Sequence, residues 1–154
     1  MPEILVGAPY RGDASGADAG RLVVFSLESD CDGDGLGPFG GDCNDADGGL
    51  WRAPSEVVNL AVAASPVIVT WEPPADPGHA AGVLLYDTLR ASSPDGLSNA
   101  LCLEISGADL STPDDEVPPP GTAMFYLVRA CNLCGPGSPG RDSAGDLRSV
   151  PVCP

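Results

Sequence analysis

Short runs of apolar and β-branched residues, separated by clusters of Gly, Pro, Asp and Ser, make up most of this chain. Runs of that length bounded by turn formers predict strands. In residues 57–154 they fall at Val57–Ala63, Val67–Glu72, Val83–Arg90, Leu101–Ile105, Ala108–Leu110, Ala123–Ala130 and Leu147–Val152. Pro73-Pro74, Ser93-Pro94-Asp95-Gly96, Pro118-Pro119-Pro120-Gly121 and Gly135-Pro136-Gly137 punctuate them. Near the start, Glu3-Ile4-Leu5-Val6 and Arg21-Leu22-Val23-Val24-Phe25 predict two short strands around a polar loop at Gly16 to Gly20. No segment carries a stripe of helical period. The expected fold class is all-β: a sandwich of seven short strands in residues 57–154, preceded by an acidic loop over 28–56 and a strand pair in 1–27. A lone two-stranded hairpin is marginal in water, so the pair must pack on the rest of the chain or on a neighbour.

Charge sharpens this outline. The 154 residues hold 22 acids against seven Arg and no Lys, a formal charge of −15. Residues 28–56 contribute −7 of it, from eight acids and one Arg. A nucleic-acid partner is excluded by the lack of a basic face, and cations are favoured. No apolar run approaches the length of a membrane span. Nor does Met1-Pro2-Glu3 open a signal peptide, so the chain reads as a mature form or a piece of a secreted protein.

The acidic loop holds the candidate chemistry. Asp30, Asp32, Asp34, Asp42, Asp45 and Asp47, with Asn44, fall between residues 30 and 47 with no Arg among them. Alternating carboxylates closed by Gly35 suit a hard cation that takes six to eight oxygens. Without an ion the like charges repel. Calcium, as one or two ions, is the expected cofactor. Magnesium demands a tighter octahedron, and zinc prefers Cys and His ligands that are not arranged here. The plainer alternatives are a solvated acidic linker or a remnant that binds nothing.

Six cysteines, an even number, suggest disulfides and an oxidising, extracellular location. Cys31 and Cys43 flank the loop, and a bridge between them would remove roughly 3 kcal/mol of denatured-state freedom while gathering the carboxylates. Cys102, Cys131, Cys134 and Cys153 allow three pairings. Cys102–Cys134 with Cys131–Cys153 is preferred, with a crossed alternative and a four-Cys zinc site also open. The single histidine, His79, lies in a turn and is expected to be solvated. With one His and no Lys there is little for acid–base catalysis, and no catalytic residue is assigned: the chain is expected not to be an enzyme.

Three resemblances add to this reading. Ile4-Leu5-Val6-Gly7-Ala8-Pro9 with Ala19-Gly20-Arg21-Leu22-Val23-Val24-Phe25 resembles half of an FG-GAP repeat, the propeller blade unit of integrin heads and bacterial surface proteins. Asp30 to Gly35, Gly41 to Asp47, Trp51, Pro54 and Glu56 together resemble a metal-binding motif of bacterial surface proteins, although Gly48 stands where that motif has Pro. Relative to an EF-hand, Leu36 would supply a carbonyl ligand, and Gly41 replaces the closing Glu. Asp42, Asp45 or Asp47 would have to close the shell. Finally, Pro54, Leu60, Val67-Ile68-Val69-Thr70-Trp71, Pro73-Pro74 and Tyr126-Leu127-Val128-Arg129-Ala130 resemble a fibronectin type III domain. That likeness implies Trp71 as the core indole and Tyr126 as a tyrosine corner.

The expected function is an extracellular calcium-binding structural module whose ion stiffens the joint between strand pair and sandwich. One alternative is a filament subunit in which copies of the chain associate by strand addition. Another is an adhesion or carbohydrate-binding module, which the scarcity of exposed-looking aromatics beyond Trp51 and Tyr86 weakens.

Overall fold

A computed structural model describes residues 3–8, 21–26, 30–64 and 66–154. Strands β1 (Glu3–Ala8) and β2 (Arg21–Ser26) pair antiparallel from Glu3↔Ser26 to Ala8↔Arg21. The loop expected at Gly16 to Gly20, and the Pro9 and Ala19-Gly20 parts of the FG-GAP-like pattern, lie outside the described residues.

Two antiparallel sheets form the body of the molecule. The first orders its strands β3 (Val58–Ala64), β4 (Val67–Glu72), β7 (Ser111–Asp114). The second runs β6 (Leu101–Gly107), β5 (Leu85–Ala91), β8 (Phe125–Asn132), β9 (Gly135–Pro136). The protein is therefore an all-β sandwich, as expected. Along β4, Val69 and Trp71 are buried while Thr70 and Glu72 are exposed, the alternation of a strand with one dry face. Val69 and Trp71 pack against Tyr86 of β5 and Val128 and Ala130 of β8. Trp71 is the core indole, 4% exposed, with its ring centroid 5.5 Å from that of Tyr86. Tyr86, expected at the surface, is itself in the core.

Strand β5 is dry on both faces. Its alternate residues Leu89 and Ala91 join Leu127 and Ala100 in a second cluster, covered by Leu97, Val150 and Cys153. That cover explains a departure from expectation. The last strand is Gly135–Pro136, not Leu147–Val152. Val150 is held as an apolar plug and Cys153 is tied to Cys102, so a disulfide and packing replace the ladder.

Strand β7 also shifts, from the expected Ala108–Leu110 to Ser111–Asp114. Its buried positions are polar and so carry no hydrophobic signal. Thr112 hydrogen-bonds Thr88 at 2.9 Å and donates to Glu104, while Asp114 accepts from Arg90 at 2.7 Å. The Tyr126 hydroxyl donates to Asp114 Oδ2 at 2.8 Å. A tyrosine corner bonds backbone instead, so Tyr126 serves as a strut between the sheets. Across β5 and β8, buried Arg129 and Asp87 pair at 2.8 Å.

Candidate metal centre

Residues 30–36 fold on their own side chains. Asp30 accepts from the N–H groups of Gly33 (2.6 Å) and Gly35 (2.9 Å). Asp32 Oδ1 accepts from Asp34 N at 3.2 Å, and Asp34 Oδ1 from Leu36 N at 2.7 Å. Such Asx turns are the local alternative that Asp offers to helix or strand. They need left-handed backbone at two positions, which Gly33 (φ 83°) and Gly35 (φ 93°) supply. The outcome is an acidic knot: carboxylate oxygens of Asp30, Asp32 and Asp34 all lie within 4.8 Å of one another.

Asp42, outside that cluster, comes near enough to add its repulsion at Asp32. It is 9% exposed, and its Oδ1 accepts from Asn44 N at 2.8 Å. The second oxygens of Asp32, Asp34 and Asp42 are buried with no hydrogen-bond partner among the described residues. Burial raises the Asp32 carboxyl above its ordinary value, and repulsion from Asp34, Asp42 and Asp30 adds to this. Backbone donors at Gly35 and Gly33 hold Asp30 below its ordinary value. One carboxylate is thus satisfied by the chain, while three present an unused oxygen each. Buried carboxylate oxygens without partners are costly, and a hard cation is the chemistry that matches them.

The remaining candidates take supporting places. Asp45 Oδ1 accepts from Cys31 N at 3.0 Å, tying the two halves of the loop together, and Asp47 Oδ1 accepts from Gly49 N at 3.1 Å. Asn44 is exposed, and Leu36 gives its N–H to Asp34. Glu56 stands apart: it accepts from Ser138 Oγ at 3.4 Å on the flank of the sandwich.

The loop is fastened to one end of the sandwich. Cys43 forms a disulfide with Cys134 (Cα–Cα 5.7 Å) and not the expected bridge with Cys31. Cys102 bonds Cys153 (Cα–Cα 5.9 Å) rather than Cys134. Both separations are ordinary for disulfides. Cys131 is a free, half-buried thiol donating to Asp87 at 3.6 Å, with its pKa pushed up by burial and by that carboxylate. Four thiolates are therefore not on hand for a zinc site. The physical reason for the rearrangement is the path of residues 49–55. Trp51 and Arg52 both donate backbone N–H to Gly78 O, at 2.9 and 3.1 Å, and Cys43 N donates to Trp51 O at 3.2 Å. This carries Cys43 to the β8–β9 turn, where Asn132 Nδ2 donates to Arg52 O (2.7 Å) and Pro77 O (3.0 Å).

His79, expected in solvent, is buried under this seam: Leu50 bridges to it, and Ala80 N donates to Gly49 O at 2.9 Å. Asn132, missed from the sequence, sits inside the Cys131–Cys134 spacing, where a side chain able to cap the carbonyls of two loops was the available clue. Comparison with protein-family models and with curated proteins finds no match to this chain.

Proposed function

We propose that residues 30–47 hold a calcium ion and that the chain is an extracellular structural module stiffened by it. The observation that carries this reading is the set of three buried, unpartnered oxygens on Asp32, Asp34 and Asp42. Asp30 orders the turn, Asp45 closes it, and the Leu36 carbonyl is the neutral ligand expected from the EF-hand likeness. Coordination offsets carboxylate repulsion and the entropy of fixing the loop, so the ion stabilises the folded form by mass action. Because the loop is bonded to the sandwich through Cys43, order gained at the ion passes to the joint. Two disulfides fit an oxidising compartment, and among the described residues no helix is long and apolar enough to cross a membrane. Affinity on the order of 10⁻⁴ to 10⁻³ M would match extracellular calcium.

Isothermal titration with calcium, repeated with magnesium, tests the reading. Calcium uptake in that range, with a rise in melting temperature reversed by EGTA, is expected. A flat titration and a melting curve indifferent to EGTA would overturn it.

A further inference from the structure

Beside the acidic knot lies a recess of about 470 Å³, lined among others by Asp34, Gly48, Trp51, Arg52 and Asp76. Its size is that of a small-ligand site. Trp51 is only partly buried, unlike Trp71 in the core. Its backbone is pinned on both sides, by Gly78 O and by Cys43 N, so the indole belongs to a rigid segment. Arg52 Nε pairs with Asp76 Oδ2 at 3.2 Å, and both side chains are partly open to solvent (52% and 37%). Asp76 Oδ1 is held by Gly78 N at 2.9 Å.

Gly48, the departure from the motif noted in the sequence, gains a purpose here. A Cβ at this position would meet Asp32 O at 3.3 Å and Asp32 Oδ1 at 3.5 Å. Glycine lets the two arms of the loop approach and leaves this wall without a side chain.

We propose that this recess binds a neutral saccharide, with the Trp51 indole against a pyranose face and the Arg52–Asp76 pair on neighbouring hydroxyls. This rests on the calcium reading for one wall only, the one that Asp34 provides. The chemistry favours that ligand class over others. An aromatic ring suits the apolar C–H face of a sugar, while a guanidinium–carboxylate pair offers donors and acceptors together, as hydroxyls require. With calcium on Asp34 and Arg52 on Asp76, neither carboxylate is left over for a cationic ligand. The overall charge of −15 repels an anionic one.

The test uses the full chain titrated with neutral hexasaccharides of glucose, mannose and galactose, in millimolar calcium and again in EGTA. The expected result is a blue shift of tryptophan fluorescence and saturable heat with at least one sugar. Trp51→Ala should weaken it by about tenfold or more, and Trp51→Phe should keep part of it. Arg52→Gln, which changes the side chain and keeps the residue's own backbone bonds in the seam, should also weaken it. Circular dichroism of each variant separates lost binding from lost fold. Binding to none of the three sugars, or binding that Trp51→Ala and Arg52→Gln leave unchanged, overturns the proposal. Calcium uptake is read separately on the unmodified chain without sugar. Uptake without sugar binding sinks the recess alone, and sugar binding without calcium uptake sinks the calcium reading and upholds the recess.

Discussion

Cys43 is bonded to Cys134 across 91 residues of sequence, and Asp42, its neighbour in the chain, carries a buried carboxylate oxygen with no hydrogen-bond partner among the described residues. The covalent anchor and the candidate ligand are adjacent, so the position of one constrains the other. Loop, disulfide and sandwich end form one mechanical unit, and the following outcomes are expected from it.

Removing the anchor should loosen the ion site as well as the fold. The double variant Cys43→Ser/Cys134→Ser is expected to lose about 2–5 kcal/mol of stability, as for a native disulfide in a small domain, and to bind calcium at least several-fold more weakly. Denaturant melts and calcium titration check the two effects. Peptide mapping of the unreduced protein should recover Cys43–Cys134 and Cys102–Cys153 as linked pairs.

The acidic knot should show a change of sign. Asp42→Asn removes a negative charge from a crowded, buried site, so in EGTA the variant is expected to be at least as stable as the parent chain. In calcium the order reverses, because the ligand oxygen is weakened and the ion-dependent rise in melting temperature shrinks. Paired thermal melts with and without calcium decide it. Equal melting shifts in variant and parent would remove Asp42 from the site.

The strut between the sheets predicts a pH profile. Burial, then the hydrogen bond to Asp114, pushes the Tyr126 hydroxyl up to about 12, against an unfolded value near 10. A group raised on folding contributes stability that is complete below the unfolded value and lost as pH climbs through the folded one. Stability should therefore fall between about pH 10 and 12, and Tyr126→Phe should flatten that limb. Burial pushes the Asp114 carboxyl up, but hydrogen bonds from Arg90, Glu116 N–H and Tyr126 outweigh it and hold the carboxyl below its ordinary value. That contribution is present above the ordinary carboxylate range and lost as pH drops through the lowered value. Urea melts across pH read both limbs.

Docking of the loop should depend on one glycine. Gly78 has φ +73°, and a Cβ there would lie 1.9 Å from Arg52 O, the same carbonyl that accepts from Asn132. Gly78→Ala is expected to cost about 1–3 kcal/mol through strain, and more if the seam parts. Hydrogen exchange at Trp51 and Arg52, whose N–H groups bond Gly78 O, should speed up, while that of the β5–β8 ladder should not.

Much of this protein was legible along the chain. The alternation through Val69 and Trp71, and the turn clusters between strands, announced a β-sandwich because strand periodicity and turn chemistry are local properties. Asp30 to Gly35 announced a tightly turned acidic loop for the same reason: Asx turns and glycine φ values are decided within a few residues. Tertiary structure decided the rest. Only the fold could bring Cys43 to Cys134, bury His79 beneath the seam, place polar Thr112 and Asp114 inward on β7, and fasten the tail by Cys102–Cys153 instead of a final strand. Those outcomes depend on contacts between residues tens of positions apart, where hydrogen-bond partners and close backbone approaches override what each segment would do alone.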